Sequence, residues 1–391
     1  MPYYQAVGDI PRKRHTQFRR PDGGLYSEEL MGQEGFSSES SLLYHRHPPT
    51  AVRSIDAIPD PAGVLQANHP LKLRHVRAHK ITVGPTDDAV FGRRLMFGNS
   101  DVRLSYCVAS STSPLYRNGI GDELLYVESG AGVIETVFGA LTVGLGDYVV
   151  LPTSTTYRVV PAGGEPLRLL VVEARGHVGA PSRYLSKRGQ FLEHAPFCER
   201  DLRRPEEPLV AQGEDVEVFV RTRGGMSRFV YAEHPFDVVG WDGGLYPYAL
   251  NIADFEPITG RIHQPPTVHQ TFAGPNFVVC SFVPRKLDYH PDSIPTPYNH
   301  ANVDSDEVLF YVGGEFTSRR GSGIGHGSLT LHPSGCTHGP QPGAVEASLG
   351  VERTDETAVM VDTFAPLDLG AAALEGDDPD YVASWLRPGD R

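Results

Sequence analysis

Short hydrophobic runs recur along most of this chain, each broken within a few residues by glycine, proline or charged side chains. The runs LLYV, VIETVF, LTVG and YVVLP, between residues 124 and 152, are rich in β-branched and aromatic residues, which favour strands. In LTLHP, the strand period of two places Leu329 and Leu331 on one face, and Thr330 and His332 on the other. The pattern predicts an all-β protein of short strands joined by turns.

Length and charge narrow the class of protein. The chain has 391 residues, including 42 glycines and 33 prolines, and its length predicts two domains of about 150–200 residues each. A net charge of −13 argues against nucleic acid or an anionic membrane as the main partner. Since no run approaches about 18 apolar residues, the sequence predicts no membrane-spanning helix.

The cysteines and the N-terminus predict a cytoplasmic location. Four cysteines are spread too widely for a zinc-ribbon or thioredoxin motif, namely Cys107, Cys198, Cys280 and Cys336. Reduced thiols are the simplest state for such cysteines, and the first residues lack the apolar core of a signal peptide.

Two spaced motifs between residues 300 and 338 carry the candidate chemistry. The first motif reads H-x-N-x4-E-x6-G and consists of His300, Asn302, Glu307 and Gly314. The second motif reads G-x5-P-x-G-x2-H and consists of Gly327, Pro333, Gly335 and His338. The pair resembles the two motifs of the cupin superfamily, with Asn302 in place of the usual second histidine. The resemblance implies a small jelly-roll-like β-barrel with a metal site.

The donor set in these motifs indicates which metal to expect. Two histidines and one carboxylate, from His300, Glu307 and His338, form a triad typical of non-heme Fe(II), because it leaves about three adjacent positions open for substrate and dioxygen. We therefore predict Fe(II) as the cofactor. Two alternatives stay open: a metal-dependent isomerase or hydrolase using Zn(II) or Mn(II), and a non-catalytic protein that binds a small ligand.

The first half of the chain repeats the same frame without the histidines. Glu123 and Gly130 are spaced as Glu307 and Gly314 are, but tyrosines, Tyr116 and Tyr157, stand at the two histidine positions. A single carboxylate cannot hold a divalent transition metal, so we predict that this copy is structural. The repeat predicts two cupin-like barrels preceded by an arm. We expect an N-terminal arm with little regular structure over 1–60, a metal-free domain over 61–215, and a catalytic domain over 216–391 with a short C-terminal helix.

A longer stretch identifies a family. Residues 234–255, HPFDVVGWDGGLYPYALNIADF, together with the metal motif and GGLYSEEL near the N-terminus, resemble the homogentisate 1,2-dioxygenase family. That family consists of Fe(II) enzymes that open a hydroquinone ring with dioxygen in tyrosine and phenylalanine degradation. The resemblance implies a substrate such as homogentisate or a related hydroquinone-type aromatic acid. It also implies insertion of both oxygen atoms, and a homo-oligomer, either a trimer or a hexamer.

The resemblance also implies roles for individual residues. The family's iron ligands fall on His300, Glu307 and His338, and its acid–base histidine falls on His263, with His269 and His290 as rivals nearby. Its pocket histidine and pocket tyrosine fall on His332 and Tyr298. Two positions depart from the family: Ala301 stands where an arginine is usual, and Phe316 stands where a second pocket tyrosine is usual. Both departures concern the substrate rather than the ligands.

Overall fold

Strands make up most of the regular structure. The computed structural model describes residues 3–59, 63–81, 84 and 87–386. The strands are β1 (Gln5–Gly8), β2 (Ser27–Gly32), β3 (Ser40–His45), β4 (Val52–Ile58), β5 (Arg74–Val76), β6 (Arg94–Gly98), β7 (Val102–Ala109), β8 (Leu115–Asn118), β9 (Glu123–Ser129), β10 (Ala131–Thr136), β11 (Gly139–Val143), β12 (Asp147–Leu151), β13 (Tyr157–Ala162), β14 (Leu167–Ala174), β15 (Leu202–Arg203), β16 (Glu214–Thr222), β17 (Gly225–Glu233), β18 (Val238–Gly243), β19 (Tyr248–Asn251), β20 (Gln270–Gly274), β21 (Phe277–Phe282), β22 (Arg285–Lys286), β23 (Asp306–Gly313), β24 (Ser328–His332), β25 (Arg353–Thr354), β26 (Thr357–Thr363) and β27 (Asp368–Leu369).

Helices are short. The described residues form two α-helices, α1 (Ala344–Ser348) and α2 (Ala371–Glu375). Single 3-10 turns lie at Glu34–Phe36, Ala78–Lys80, Ser182–Tyr184, Glu199–Asp201, Ile252–Asp254, Pro266–His269, Thr317–Arg319 and Tyr381–Trp385. The predicted all-β fold with a short C-terminal helix is confirmed. None of the helices in the described part of the chain has the length and apolar character needed to traverse a bilayer.

The chain divides into two compact units. The first comprises Met1–Ala62, Val83–Arg93 and Cys107–Asn251, and the second comprises Gly63–Thr82, Arg94–Tyr106 and Ile252–Arg391. In the first unit, neighbouring strands follow the orders β1-β18-β3-β2, β11-β10-β13-β8-β16-β17-β4 and β15-β19-β12-β9-β14. Most pairs are antiparallel, whereas β8 and β16 run parallel.

The core of the first unit follows from the alternation of its side chains. In β11 every second residue is buried, as the strand period requires. Buried residues from facing strands, among them Leu125, Ile134, Val149 and Val171, form one hydrophobic cluster. Burial of these side chains away from water supplies the main driving force for this unit.

The second unit is built on a six-stranded antiparallel sheet with the order β20-β21-β26-β23-β24-β5. Its central strand β23 is buried on both faces. Glu307 on β23 lies opposite His332 on β24 and Asp362 on β26. Since directly paired residues project from the same face of a sheet, these three side chains point the same way. The face also carries Leu309 and Tyr311, which pack with buried residues of β21 and β26.

The observed division of the chain differs from the predicted one at both boundaries. Residues 1–60, expected to have little regular structure, contain the strands β1 to β4. The second unit resumes at Ile252 rather than near residue 215, because β16 pairs with β8 and β19 pairs with β12, within the first unit. These strands are stabilised by pairing with residues far away along the chain, as in Leu43 opposite Trp241, and such pairing leaves no local pattern in the sequence.

Candidate metal centre

The two histidines of the predicted triad lie on facing segments. The backbone N–H of His300 donates to the carbonyl of His338 and the reverse bond also forms, each at 2.8 Å. Each imidazole bonds through Nδ1 to the carbonyl two residues earlier, at 3.1 Å for Tyr298 and 3.0 Å for Cys336. Since the carbonyl can only accept, each Nδ1 carries the proton. In the neutral form of each ring, Nε2 is therefore left with a free lone pair.

Glu307 completes the cluster. Its two carboxylate oxygens face the imidazoles, with Nε2 of His300 3.7 Å from Oε2 and Nε2 of His338 3.4 Å from Oε1. One donor atom from each of the three residues lies within 4.8 Å of the other two. Atoms each about 2.1 Å from a shared ion lie roughly 3–3.5 Å apart at angles of about 90–110°. The three side chains thus stand at separations comparable to those of ligands around one metal ion.

An unpaired buried atom supports this fit. Nε2 of His338 is buried and has no hydrogen-bond partner, although an oxygen of Glu307 is close. A lone pair that faces a carboxylate oxygen is repulsive unless a cation or a proton lies between them. Burial alone would raise the pKa of the Glu307 carboxyl, but the surrounding imidazoles hold that pKa well below its ordinary value. The carboxylate is therefore charged, and the cluster suits a divalent cation.

His332 holds the carboxylate from behind. Its Nδ1 lies 2.7 Å from Oε1 of Glu307, and its Nε2 lies 2.9 Å from the hydroxyl of Tyr381. Burial lowers the pKa of His332 to about 3, so the ring is neutral. A neutral ring carries one proton, and because a carboxylate only accepts, Nδ1–H donates to Glu307 while the Tyr381 hydroxyl donates to Nε2. This chain orients the carboxylate, as partners behind metal ligands commonly do.

The turn after His338 is anchored on both sides. Arg319 Nη1 and Trp385 Nε1 both donate to the carbonyl of Gly339, at 2.7 Å and 3.1 Å. A Cβ atom at this glycine would lie 2.1 Å from Oδ1 of Asn299, so a larger residue does not fit. These contacts fix the segment that carries the second histidine.

A cavity of about 160 Å³ opens beside the cluster. His300 and Glu307 form part of its wall. The apolar part of the cavity wall includes Leu309, Phe282 and Met360. Several ionisable groups also line the cavity. Those groups are His263, His269, Arg285, Lys286, Asp288, Arg319 and Glu356. The cavity therefore offers an apolar surface for a flat ring, together with several charged or proton-transferring groups.

The predicted acid–base histidine lies on the cavity wall. His263 Nδ1 is 3.9 Å from Oδ2 of Asp288. Burial lowers the pKa of His263 from its usual 6.5; Asp288 opposes this effect, whereas the nearby Arg285 and His300 side chains lower the pKa further. The ring is therefore neutral at neutral pH and can accept a proton.

The two rival histidines have different surroundings. His269 also lines the cavity, and its buried Nδ1 has no hydrogen-bond partner. Burial lowers the pKa of His269 to about 3. His290 is not among the described residues of the cavity wall, and its Nδ1 accepts the backbone N–H of Asp292. The geometry leaves His263 and His269 beside the cavity.

Three residues predicted to contact the substrate, Tyr298, Phe316 and His332, lie outside the described cavity wall. Tyr298 is 58% exposed, and its ring lies edge-on to His263 at 5.2 Å. Phe316 packs against Tyr311 in the hydrophobic cluster under the sheet, with ring centres 4.9 Å apart. His332 is fully buried behind Glu307. Among the described residues, none of these three forms part of the cavity wall.

Several residues of this region carry no motif in the sequence. Arg285, Glu356 and Tyr381 reach the site from segments far apart along the chain. Asp362 stands beside Glu307 across the sheet, where burial and the charge of Glu307 raise its pKa to about 8. Only the tertiary fold brings these side chains together.

The equivalent position in the first unit is filled by an arginine. Arg93 donates to Oε1 of Glu123 at 2.6 Å and to the hydroxyl of Tyr157 at 2.8 Å. The hydroxyls of Tyr157 and Tyr116 and the amide of Asn118 also donate to Glu123. A guanidinium group thus supplies the positive charge beside this buried carboxylate.

The fold and the site define a class: a two-unit, all-β protein with one cluster of two histidines and a carboxylate in the described part of its second unit. The family described as "Homogentisate 1,2-dioxygenase N-terminal" matches residues 8–252. The chain belongs to this family.

Relatives span nearly the whole chain. A provisionally named dioxygenase of Saccharolobus solfataricus is 40% identical, over 98% of this chain and 99% of its own length. Homogentisate 1,2-dioxygenases are more distant: that of Rhodopseudomonas palustris is 25% identical over 97% of this chain and 90% of its own. That of Emericella nidulans is 25% identical over 85% and 79%.

Solved structures give a weaker likeness. A cupin 2 conserved barrel domain protein from Leptotrichia buccalis is 11% identical and covers 74% of this chain and 96% of its own, with a TM-score of 0.33. The protein Ylba from E. coli is 9% identical and covers 77% and 93%, with a TM-score of 0.36. Similarity at this level does not bear on function.

Proposed function

We propose that this protein is an Fe(II)-dependent dioxygenase that opens the ring of a hydroquinone-type aromatic acid, with both atoms of dioxygen entering the product. The observation that carries the proposal is the His300–Glu307–His338 cluster, in which two free imidazole lone pairs and a charged carboxylate face one another beside a partly apolar cavity. Membership of a family whose relatives include homogentisate 1,2-dioxygenases supports the reaction class.

In this proposal the three side chains hold the metal and leave adjacent positions free. Bound Fe(II) would supply the redox chemistry that lets dioxygen react with an aromatic ring. His332 and Tyr381 keep the Glu307 carboxylate oriented towards the cluster. The cavity wall, through Phe282 and Leu309, binds the ring and excludes water from it.

His263 has the surroundings of a proton acceptor for the substrate. A phenol ordinarily keeps its proton at neutral pH, with a pKa near 10, so binding as a phenolate requires a base nearby. The neutral imidazole of His263 lines the same cavity as His300 and Glu307. Proton transfer to a positioned side chain typically accelerates a reaction about 10²–10⁴-fold.

Oxygen uptake by the iron-loaded protein tests the proposal. The protein is loaded anaerobically with Fe(II), mixed with homogentisate, gentisate and related hydroquinone acids, and followed with an oxygen electrode. The same protein loaded with Zn(II) is the control, because zinc has no redox chemistry. We expect oxygen uptake with the iron-loaded protein and none with the zinc-loaded protein. Conversion of a substrate by the zinc protein without oxygen would favour an isomerase or hydrolase.

A further inference from the structure

The cavity beside the candidate metal centre contains a guanidinium group, that of Arg285, which forms no ion pair with any described carboxylate. Among the described residues, no carboxylate oxygen lies within 4.0 Å of the Arg285 guanidinium, the limit for an ion pair. The described contacts of this side chain include one hydrogen bond, from Nη1 to the carbonyl of Val283 at 3.2 Å. Its guanidinium carbon lies 5.8 Å from the centre of the Phe282 ring. Most of its five N–H donors are therefore available to a ligand.

The acidic groups nearest to Arg285, Asp288 and Glu356, form no ion pair with it among the described residues. Asp288 is turned to His263 and to the backbone N–H of Gly260. Glu356 lines the same cavity without forming an ion pair, and burial raises the pKa of its carboxyl, against the opposing effect of Arg285 and Arg319. A glutamate with a raised pKa carries its proton more readily. Arg285 therefore has acidic groups near it but no carboxylate in direct contact.

The other two cations of the cavity are less suited to bind a ligand. Arg319 is already engaged, because its Nε donates to the Tyr311 hydroxyl at 3.1 Å and its Nη1 donates to Gly339. Lys286 is exposed at the rim. Position 301, directly after the ligand His300, is an alanine and supplies no charge. Arg285 is the cation that combines partial burial with free donors.

We infer that Arg285 binds the carboxylate of an aromatic acid substrate and selects for it over uncharged hydroquinones. The inference rests on the proposed function for the identity of the reaction, although binding of the anion stands on the contacts of Arg285 alone. Guanidinium and carboxylate groups match in a planar, two-bonded geometry, which lysine cannot reproduce. Burial of the pair in a partly apolar cavity strengthens it relative to a surface pair.

Calorimetry with an unreactive probe separates this inference from the reaction. Binding of phenylacetate and of its neutral counterpart phenylacetamide is measured on the metal-loaded full-length protein and on Arg285→Gln, Arg285→Lys and Lys286→Gln. Arg285→Gln should weaken phenylacetate roughly 10- to 100-fold while changing phenylacetamide little. Arg285→Lys should recover part of the loss, and Lys286→Gln should have little effect.

The preference for the acid over the amide is a ratio, so it does not depend on how much of a variant is folded. An unchanged ratio in Arg285→Gln would overturn the inference, since the carboxylate would then be held elsewhere, for instance by the metal. A different outcome is that Arg285→Gln no longer prefers phenylacetate over phenylacetamide, while the unmodified protein takes up no oxygen with any hydroquinone. In that case the inference stands and the proposed reaction fails. With oxygen uptake present, Arg285→Gln should raise KM for the acid and leave kcat largely intact.

Discussion

At the scale of single residues, the site depends on how protons are distributed among its histidines. His300 and His338 are ready to bind a metal because backbone carbonyls hold the proton on Nδ1 of each ring. His332 has the opposite orientation, with its donor towards Glu307. The sequence motifs name the three predicted ligands but not these proton positions, which depend on Tyr381 and on backbone geometry.

Removing the Tyr381 hydroxyl tests the orienting chain. Tyr381→Phe leaves the His332 ring without its donor at Nε2, so the ring can rotate and release the carboxylate of Glu307. We expect iron affinity to fall roughly 10-fold, at the low end of effects seen for partners behind metal ligands. Competition with a chelator measures the affinity, and Tyr289→Phe, at a tyrosine that is 70% exposed, serves as the control. Equal affinities in both variants would show that the Tyr381 bond has no role.

Replacing His263 tests the proton acceptor. His263→Ala should keep iron and lose turnover by about 10²–10⁴-fold. Iron content by elemental analysis and oxygen uptake per iron are measured together. Normal turnover in the iron-loaded variant would direct attention to His269, the other histidine on the cavity wall.

The pH profile tests the same residue independently. A base must be neutral to act, and the pKa of His263 lies below its usual 6.5. Turnover should therefore be level from pH 7 to pH 8, which is above that pKa, and should fall only as the pH drops below about 6.5. Iron retained by the protein is measured at each pH, so that metal loss is not mistaken for protonation of the base. A fall beginning above pH 7 would contradict the assignment.

Among the strands, the sequence predicts those that carry the two motifs. It does not predict all of the residues that line the cavity. The two motifs correspond to the hairpin of β23 and β24 and to the segments beside it, so a local pattern encodes the cluster. His332 follows from the same alternation, which places it on the face of Glu307. Arg285, Glu356 and Asp362 come from β22 and β26 and the turn before β26, and no spacing in the sequence links them to the motifs.

The first-unit counterpart of the cluster makes a prediction about stability. Arg93→Met leaves Glu123 buried beside two tyrosines without its cation, which should lower the free energy of unfolding by about 3–5 kcal/mol. The two tryptophans lie one in each unit, Trp241 in the first and Trp385 in the second. In a Trp385→Phe background, urea unfolding followed by fluorescence therefore reports on the first unit.

The matched control for this experiment is Arg223→Met, which removes an exposed arginine of the first unit in the same background. It should change the unfolding free energy by less than about 0.5 kcal/mol. A similarly small change in Arg93→Met would contradict the idea that a guanidinium group neutralises Glu123.

In the molecule as a whole, the two units place different groups beside a buried glutamate. One unit uses an arginine beside its glutamate, and the other presents free imidazoles. The repeat was visible in the sequence because both copies keep the glutamate and glycine spacing. The extent of each unit was not, because strands from residues 5–58 and 214–251 pair across long stretches of chain. The predicted trimer or hexamer stays a prediction.

Metal stoichiometry tests the difference between the two units. We expect one iron per chain, with His338→Ala losing most of it because two ligands do not retain a divalent ion firmly. Tyr157→Phe changes the counterpart position in the first unit and should leave the iron content unchanged. Comparable losses in both variants, measured by elemental analysis, would contradict a site confined to the second unit.

Isotope labelling shows whether the protein opens an aromatic ring with dioxygen, as we propose. Iron-loaded protein is supplied with ¹⁸O₂ and a hydroquinone acid, and the molecular mass of the product is measured by mass spectrometry. Our account predicts an open-chain product that carries two heavy oxygen atoms from one dioxygen molecule. A product that retains its ring, or that takes its added oxygen from water, would contradict it.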